Sequence, residues 1–425
     1  MIKLVCINNS FQSHYFTRRW ELLAEQHPDV DVTLLTPEKA EWYASKSYSY
    51  GKSVIMTGRN EEKGTNYRIR TYKTNTYFNF FMESPDIAQM LRDLQPDVIY
   101  QIGWPFPLFI HLQKIVKKYL PATKLIVFSM RGPAHSIQRY RELIKGSKRI
   151  TDFLKYSIFY FNIKRQARVL NNTVSAVFCH YPDAVRLFRE EGYPGPIYMQ
   201  TQVGVNTEWF HPDEAARKEI REKYNLGDAF VFGSASRFNS SKGIDDIIEA
   251  LPKEGNWRYL MMGAGSEADE SRLEQHIKER GIEGKVIKTG FVDWYEITKY
   301  WNAIDCAIHV PRTTPTWLET FSLSIVQPMV TGKPIIGNTS GSVPYQIGNK
   351  EMVVPEGDIH ALNEKIRWIL NNQKEAKKIG MEMKEYAEKS FSIQHLDDLF
   401  YATLLDVISG VYDEKKSDMT KWSKQ

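Results

Sequence analysis

The sequence predicts an α/β protein built from two doubly wound Rossmann-like domains that face a central cleft. Its 425 residues exceed what one hydrophobic core usually covers. Short β-branched and aromatic runs alternate with longer amphipathic stretches, which is typical of a parallel sheet flanked by helices. A glycine- and proline-rich segment at 192–196 interrupts this alternation, and a second alternating series begins near Ala229. The chain therefore divides into two domains of similar size.

The periodicity also predicts individual elements. Strands of the first domain are expected at 4–7, 30–35, 97–101, 124–128 and 175–179, with helices at 15–25, 86–94 and 183–191. Strands of the second domain are expected at 230–233, 258–262, 285–288, 306–310, 334–336 and 352–354, with helices at 243–251, 267–280 and 321–330. Residues 37–65 fit neither period and are interpreted as a long surface excursion. We predict domain boundaries at 1–203 and 204–391, with a helix at about 392–415 that packs back on the first domain.

Composition restricts the class of protein. The hydrophobic share of 42% and the charged share of 25% are those of a soluble globular chain. Three cysteines lie far apart without the spacing of a disulfide framework or a metal site, which favours buried thiols in a reducing compartment. No secretory signal or membrane-spanning segment is predicted. We therefore expect a cytoplasmic protein, either free or peripheral at the inner face of the membrane.

One segment carries an excess of positive charge. Residues 138–170 contain nine Lys or Arg against two acidic residues, a surplus of +7 where the whole chain has +5. Many aromatic residues are interleaved with these charges. Three interpretations remain open: contact with an anionic membrane, contact with nucleic acid, or aromatics that pack beneath the sheet while the charges face water.

Three short segments of the second half suit a nucleotide diphosphate. Residues 233–243 lead from a strand into a helix, where Arg237 and Lys242 supply fixed positive charge and the helix start supplies backbone amides. Gly263 and Gly265 would let the backbone approach a phosphate or a base. Phe291 and Val292 follow a strand, where a base could stack. Each segment alone also fits a plain alternative, namely a solvated loop for the first and ordinary turns for the others.

A fourth segment adds a carboxylate before a helix. Arg312 ends a strand, Glu319 follows a loop, and the run Phe321, Ser322 and Leu323 begins the next predicted helix. Gln327 lies eight residues after Glu319, about two helical turns further, and can point in the same direction as the helix start. An acceptor for a sugar hydroxyl and a polar group for a ribose would suit a nucleotide sugar.

Taken in order, these segments resemble those of the family-4 retaining glycosyltransferases of the GT-B fold. The resemblance is strong over 204–371 and includes an interdomain turn at 203–212. It implies an N-terminal acceptor-binding domain, a C-terminal nucleotide-sugar-binding domain and retaining transfer of a hexosyl or pentosyl group.

The resemblance also implies roles for individual residues. Arg237 and Lys242 would hold the donor diphosphate, and Glu319 would contact the transferred sugar. The backbone at Phe321, Ser322 and Leu323 would meet the phosphates, and position 327 would meet the ribose. The remaining donor contacts are predicted at Gly263, Gly265, Phe291, Val292 and Arg312.

The sequence departs from the family pattern at three places. Gln327 replaces a second Glu, although an amide can still donate and accept hydrogen bonds. Arg131 stands where many relatives place a histidine and is expected to face the acceptor or the departing phosphate. Asn8-Asn9-Ser10 replaces a glycine pair after the first strand, and Ser10 is small enough to admit a phosphate.

The predicted reaction is front-face substitution assisted by the leaving diphosphate, because no convincing carboxylate nucleophile is visible in the first domain. The candidate donor-binding segments between 233 and 327 contain no Asp-x-Asp metal motif, so neither a metal nor another cofactor is expected. The expected partners are a nucleotide sugar and a glycan or lipid-linked acceptor, with nucleic acid as another candidate acceptor. The alternatives are a GT-B-fold epimerase or phosphorylase, and a non-catalytic nucleotide-sugar binding protein.

Overall fold

The computed structural model describes residues 1–41, 55–77, 81–104 and 108–413. It divides into two compact units. The first is formed by the described residues up to Gln202 and from Leu396 onward, and the second by Val203–His395. Among the described helices, none is long and apolar enough to cross a membrane.

The first unit is built on an eight-stranded sheet. Its strands are numbered in chain order together with four short strands that pair outside it: β1 Ile2–Ile7, β2 Val30–Pro37, β3 Lys39–Glu41, β4 Ile55–Thr57, β5 Glu61–Lys63, β6 Tyr67–Tyr72, β7 Asn75–Tyr77, β8 Phe81–Glu83, β9 Val98–Trp104, β10 Lys124–Ser129, β11 Ala176–Cys179 and β12 Ile197–Met199. The sheet order is β12-β11-β10-β9-β1-β2-β6-β5, with β5 antiparallel to β6 and every other pair parallel. The pairs β3–β4 and β7–β8 are antiparallel.

Helices cover this sheet because their apolar stripes need a partner surface. They span His14–Gln26, Ile87–Leu94, Phe109–Tyr119, Ile137–Lys145, Ile150–Thr173, Pro182–Glu190 and Ile393–Ser409. The last of these returns to the first unit and contributes Phe400 to the core around Trp20 and Tyr100, with ring centroids 5.3 and 5.1 Å from those two rings. Arg19 extends this contact through a hydrogen bond of 2.7 Å from its Nε to Asp397 Oδ1.

The second unit is built on a six-stranded parallel sheet. Its strands are β13 Phe230–Ala235, β14 Trp257–Met262, β15 Val286–Gly290, β16 Cys306–His309, β17 Ile335–Asn338 and β18 Val353–Val354, in the order β15-β14-β13-β16-β17-β18. Its helices span Glu214–Lys223, Ile244–Ala250, Glu267–Arg280, Ile297–Ala303, Leu323–Val330, Val343–Ile347, Ile359–Asn371 and Gln373–Phe391.

Local chemistry fixes several of these helix ends. The Asp213 side chain accepts a hydrogen bond from Ala216 N at the start of Glu214–Lys223. Ser266 forms a reciprocal capping box with Asp269, and Gly281 ends the same helix in the left-handed conformation. Such caps satisfy backbone groups that have no partner inside the helix.

The sequence-based elements are largely confirmed, but three strands of the first sheet, β5, β6 and β12, were missed. Tyr67–Tyr72 pairs in parallel with β2 inside the main sheet, although the sequence was not interpreted as a strand there. Of the predicted excursion 37–65, the described part contains three short strands, β3 to β5, and 42–54 lies outside the described residues.

Strand order in the second sheet determines where a ligand can bind. The chain runs outward from β13 through β14 to β15, then returns to the other side of β13 and continues through β16 to β18. In such sheets ligands bind beyond the carboxyl ends of the strands where the direction reverses. This point lies between β13 and β16, so the loops after these two strands form the candidate site.

Candidate functional site

The loop after β13 is hydrogen-bonded to the glycine-containing loop after β14. Ser236 N donates to Met262 O over 3.0 Å, and Phe238 N donates to Ala264 O over 3.0 Å. Gly263 has a φ of +130°, and a Cβ placed on it would lie 1.9 Å from Ser236 O. Only glycine fits this approach, so Gly263 allows the two loops to pack against each other, and its predicted contact with a phosphate or a base stays a prediction.

The same loop is fastened on its other side to the end of β16. Arg312 N donates to Ser241 O over 2.9 Å. Gly243 has a φ of +67°, and an added Cβ would lie 1.9 Å from Val310 O. Lys242, which immediately precedes this glycine, is therefore held close to the strand that leads to Glu319.

Lys242 and Glu319 form an ion pair at this edge of the sheet. Lys242 Nζ lies 2.9 Å from Glu319 Oε2, and the two side chains are 12% and 8% exposed. His309, at the end of β16, places its Nε2 3.3 Å from the same oxygen and is also buried. The ammonium of Lys242 additionally lies 4.3 Å from the centroid of the Trp317 ring, a cation–π contact.

These contacts determine the charge of Glu319. Burial alone would raise the pKa of this carboxyl, but the charge of Lys242 and the hydrogen bond of His309 outweigh it and lower the pKa from 4.5 to about 2. Glu319 is consequently ionised at neutral pH. It can accept hydrogen bonds from hydroxyl groups, and it cannot act as a proton donor there.

The backbone around Glu319 is held by neighbouring loops. Ser342 N donates to Glu319 O over 2.8 Å, and a Cβ at Gly341 would lie 2.0 Å from that same oxygen. The buried amide of Gln346 accepts from Ser322 N over 2.8 Å and donates to Ser322 O over 3.0 Å. The segment between Glu319 and the helix Leu323–Val330 is thus fixed at both ends.

The structure thus brings together several of the predicted site residues. Arg237, Lys242, Gly263 and Gly265 lie in the loops after β13 and β14, and Glu319 lies in the loop after β16. Phe321 and Ser322 lead into the helix that begins at Leu323. Phe291, which is 54% exposed, and Val292 follow β15 at the same edge of the sheet.

Two predicted donor contacts already have protein partners. Gln327 is buried, and its Oε1 accepts a hydrogen bond of 3.1 Å from Trp301 Nε1. Arg312 forms a bidentate ion pair with Asp246, with 2.8 Å between Nη2 and Oδ1. Contact of these residues with a ribose or a phosphate stays a prediction.

In the first unit, Arg131 also has protein partners, the side chain of Glu191 and the backbone of His135. It is 1% exposed and its two terminal nitrogens lie 2.7 Å from the two carboxylate oxygens of Glu191. Its Nη2 also donates to His135 O over 2.7 Å. Ser10 lies in a short turn after β1, where its N–H donates to Asn8 Oδ1 over 3.0 Å. The roles predicted for both residues remain untested by these contacts.

The sequence did not reveal His309 or Trp317 as members of the site. Both contact the Lys242–Glu319 pair, but His309 occupies a strand position that resembles core, and Trp317 lies in a loop without a recognisable motif. A histidine at the carboxyl end of the strand next to the reversal point is the signal that could have indicated it. Within the described part of the chain, no three His, Cys, Asp or Glu side chains are grouped so that they could hold a metal ion.

The second half of the chain, which contains this site, is similar to known proteins. A family model described as glycosyl transferases group 1 matches residues 216–389, which include Arg237, Lys242 and Glu319. A GDP-mannose-dependent alpha-(1-6)-phosphatidylinositol monomannoside mannosyltransferase of Mycolicibacterium smegmatis is 27% identical over 192 residues, covering 43% of this chain and 50% of the relative. O-antigen chain mannosyltransferase B of Escherichia coli is 23% identical over 188 residues, covering 43% of this chain and 47% of the relative. The matched region thus spans about half the length of these relatives.

Solved structures establish the fold of the chain. Sucrose-phosphate synthase from Thermosynechococcus elongatus aligns with a TM-score of 0.71 at 16% identity, covering 96% of this chain and 100% of that one. HepE of Anabaena, in complex with UDP and glucose, aligns with a TM-score of 0.68 at 15% identity over the same shares. The predicted fold class is confirmed: the chain has two parallel-sheet, Rossmann-like domains of the GT-B type.

Proposed function

We propose that this chain is a glycosyltransferase that moves a hexosyl group from a nucleotide-diphosphate sugar to a glycan or lipid-linked acceptor. The observation that carries the proposal is the ionised Glu319 paired with Lys242 at the point where the strand order of the second sheet reverses. The names of the matched mannosyltransferases, and the complex of HepE with UDP and glucose, support a donor of this kind.

The charges of the site suit a diphosphate. A lysine ammonium has three donors, and the contact with Glu319 uses one of them, so Lys242 can bond to a phosphate without losing that contact. Arg237 in the same loop would add a second cation. The amides at the start of the helix Leu323–Val330 would complete the set, because a helix N-terminus carries partial positive charge.

The charge of Glu319 assigns it a role toward the sugar. An ionised, buried carboxylate is an acceptor for sugar hydroxyl groups and orients the ring over the diphosphate. We propose that the departing diphosphate, stabilised by Lys242 and Arg237, assists attack of the acceptor on the same face of the ring, so the linkage keeps the donor's anomeric configuration. Because these two cations would offset the negative charge of the leaving group, we propose that no metal is needed. A cytoplasmic location remains our prediction from the sequence.

Substitution at Glu319 tests this assignment. Glu319→Gln should reduce transfer by roughly 10²–10³-fold, as loss of a preorganised charged contact does elsewhere, while free nucleoside diphosphate should bind almost as in the wild type. The matched control is Glu388→Gln, which removes the charge from a partly exposed ion pair with Lys384. Nucleotide release from a panel of sugar nucleotides measures transfer, and calorimetry measures binding. Equal loss of both properties would assign Glu319 a structural role.

The products separate the proposed activity from its alternatives. Transfer with a retained linkage, read by NMR of the fresh glycoside and unchanged by a chelator, is the expected result. An inverted linkage would contradict the mechanism. Binding without turnover on any donor would indicate a binding protein, while an epimerised sugar nucleotide or a sugar phosphate would indicate an epimerase or a phosphorylase.

A further inference from the structure

The helix Ile150–Thr173 exposes an apolar stripe. Ile150, Leu154, Ile158 and Phe161 are 72%, 54%, 56% and 67% exposed. Their spacing of four, four and three residues places them on one face of the helix. Single exposed apolar residues are normal on a protein surface, but a continuous stripe of large ones marks an interaction site.

The opposite face of this helix already packs against the first unit. Ile163, Ala167 and Leu170 are buried, and Phe159 stacks on Tyr140 of the preceding helix with 5.7 Å between ring centroids. The sequence left open that the aromatics of the segment pack beneath the sheet. That interpretation is wrong for Phe161, which is exposed, while Phe159 is partly buried against a neighbouring helix.

Basic side chains surround the stripe. Arg165 and Arg168 continue it toward the helix C-terminus, while Lys155 and Lys164 lie on its two flanks, and all four are exposed. The only acidic residue of the helix is Asp152, which is partly buried. The exposed face therefore combines protruding apolar side chains with positive charge alone.

We infer that this face docks on an anionic lipid bilayer, with the helix lying in the plane of the interface. Apolar side chains would enter the boundary between headgroups and acyl chains, and the flanking Lys and Arg would contact anionic headgroups. The inference does not depend on the proposed reaction, since docking needs no sugar donor.

Other partners fit the surface less well. Nucleic acid presents phosphates, which would match the charges but leave Ile150, Leu154, Ile158 and Phe161 facing polar groups. A second copy of the chain joined by a two-fold axis would bring the same patch against itself, so the basic residues would repel each other. The anionic bilayer satisfies both the apolar and the charged parts.

Liposome sedimentation of the full chain tests the inference. The wild type should pellet with vesicles of phosphatidylcholine and phosphatidylserine and much less with phosphatidylcholine alone, and added salt should weaken the binding. Leu154→Ser with Phe161→Ser should lower the partition constant at least about tenfold, and Lys155→Glu with Lys164→Glu by a similar factor. Because these side chains are exposed, the thermal unfolding midpoint should not change.

Control variants lie on the second unit. Met381→Ser removes an exposed apolar side chain and Lys218→Glu reverses an exposed charge, and neither should change sedimentation. Equal sedimentation of the wild type and both double variants would overturn the inference. Binding of duplex DNA that is lost only in the charge variant would also overturn it, because nucleic acid would then be the partner. A dimer of the wild type that the apolar variant fails to form would overturn it as well, because the partner would then be a second copy of the chain.

Discussion

Replacing Lys242 with methionine should destabilise the second unit by about 3 kcal/mol at neutral pH. Removing one partner of a buried ion pair leaves the other charge uncompensated, which typically costs about 3–5 kcal/mol. The fall in the pKa of Glu319 from 4.5 to about 2 corresponds to about 3 kcal/mol in favour of the ionised carboxylate. His309 remains beside the carboxylate in the variant, so the lower end of the range applies.

The effect should depend on pH in a defined direction. Because the pKa of Glu319 is lower in the folded state than in the unfolded chain, its stabilisation is fully present above pH 4.5 and is lost as the pH falls toward 2. The stability difference between wild type and Lys242→Met should therefore shrink to about 1 kcal/mol at pH 3. Adding Glu319→Gln to Lys242→Met should restore part of the lost stability, because no buried charge is then left alone.

Hydrogen exchange of the amides in β13 and β16 measures this stability locally, which avoids assuming that two units unfold as one. The matched control is Lys384→Met, which breaks an ion pair of 2.7 Å whose side chains are 21% and 37% exposed. Exposed pairs contribute about 1 kcal/mol or less. If Lys242→Met and Lys384→Met lowered stability equally, the reasoning that Lys242 and Glu319 form a desolvated, strongly coupled pair would be refuted.

Two further predictions concern packing around the site. Gly243→Ala should lower the free energy of unfolding by at least about 2 kcal/mol more than Gly281→Ala does. Both glycines have nearly the same positive φ, but only at Gly243 would a Cβ collide with another atom, Val310 O. Equal thermal unfolding midpoints for the two variants would contradict this collision. Gln327→Glu should lower stability by about 2 kcal/mol at pH 7, because it places a carboxylate beside Trp301 in a buried position. Burial should raise the pKa of the new carboxyl, so the stability of the variant should recover as the pH falls below 6. If the variant were as stable as the wild type at pH 7, position 327 would have to lie nearer to solvent than the structure shows.

Sequence periodicity predicted the two Rossmann-like domains because parallel strands and amphipathic helices have distinct and local signatures. It failed at Tyr67–Tyr72, where Arg68 and Arg70 alternate with buried residues inside a segment rich in polar side chains. This strand is stabilised by its pairing with β2, which is a contact between distant parts of the chain. Local propensity therefore could not identify it.

The residues of the site could be predicted where they belong to sequence motifs that follow one another in a recognisable order. Lys242 and Glu319 were both identified, but their direct contact depends on the neighbouring positions of β13 and β16, and no motif specifies strand order. Their contact with His309 depends on how the loop after β16 folds back over its own strand. The ion pair of Arg131 could not be predicted for a related reason, since its partner Glu191 lies sixty residues away in the sequence.

The return of the helix Ile393–Ser409 to the first unit has a consequence for synthesis on the ribosome. Phe400, Leu404 and Val407 belong to the core that also contains Trp20 and Tyr100. An emerging chain that ends near Gln202 would leave the rings of Trp20 and Tyr100 without these covering side chains, because residues 396–409 are synthesised after the whole of Val203–His395. The unit whose synthesis begins first is therefore the unit whose core is completed last.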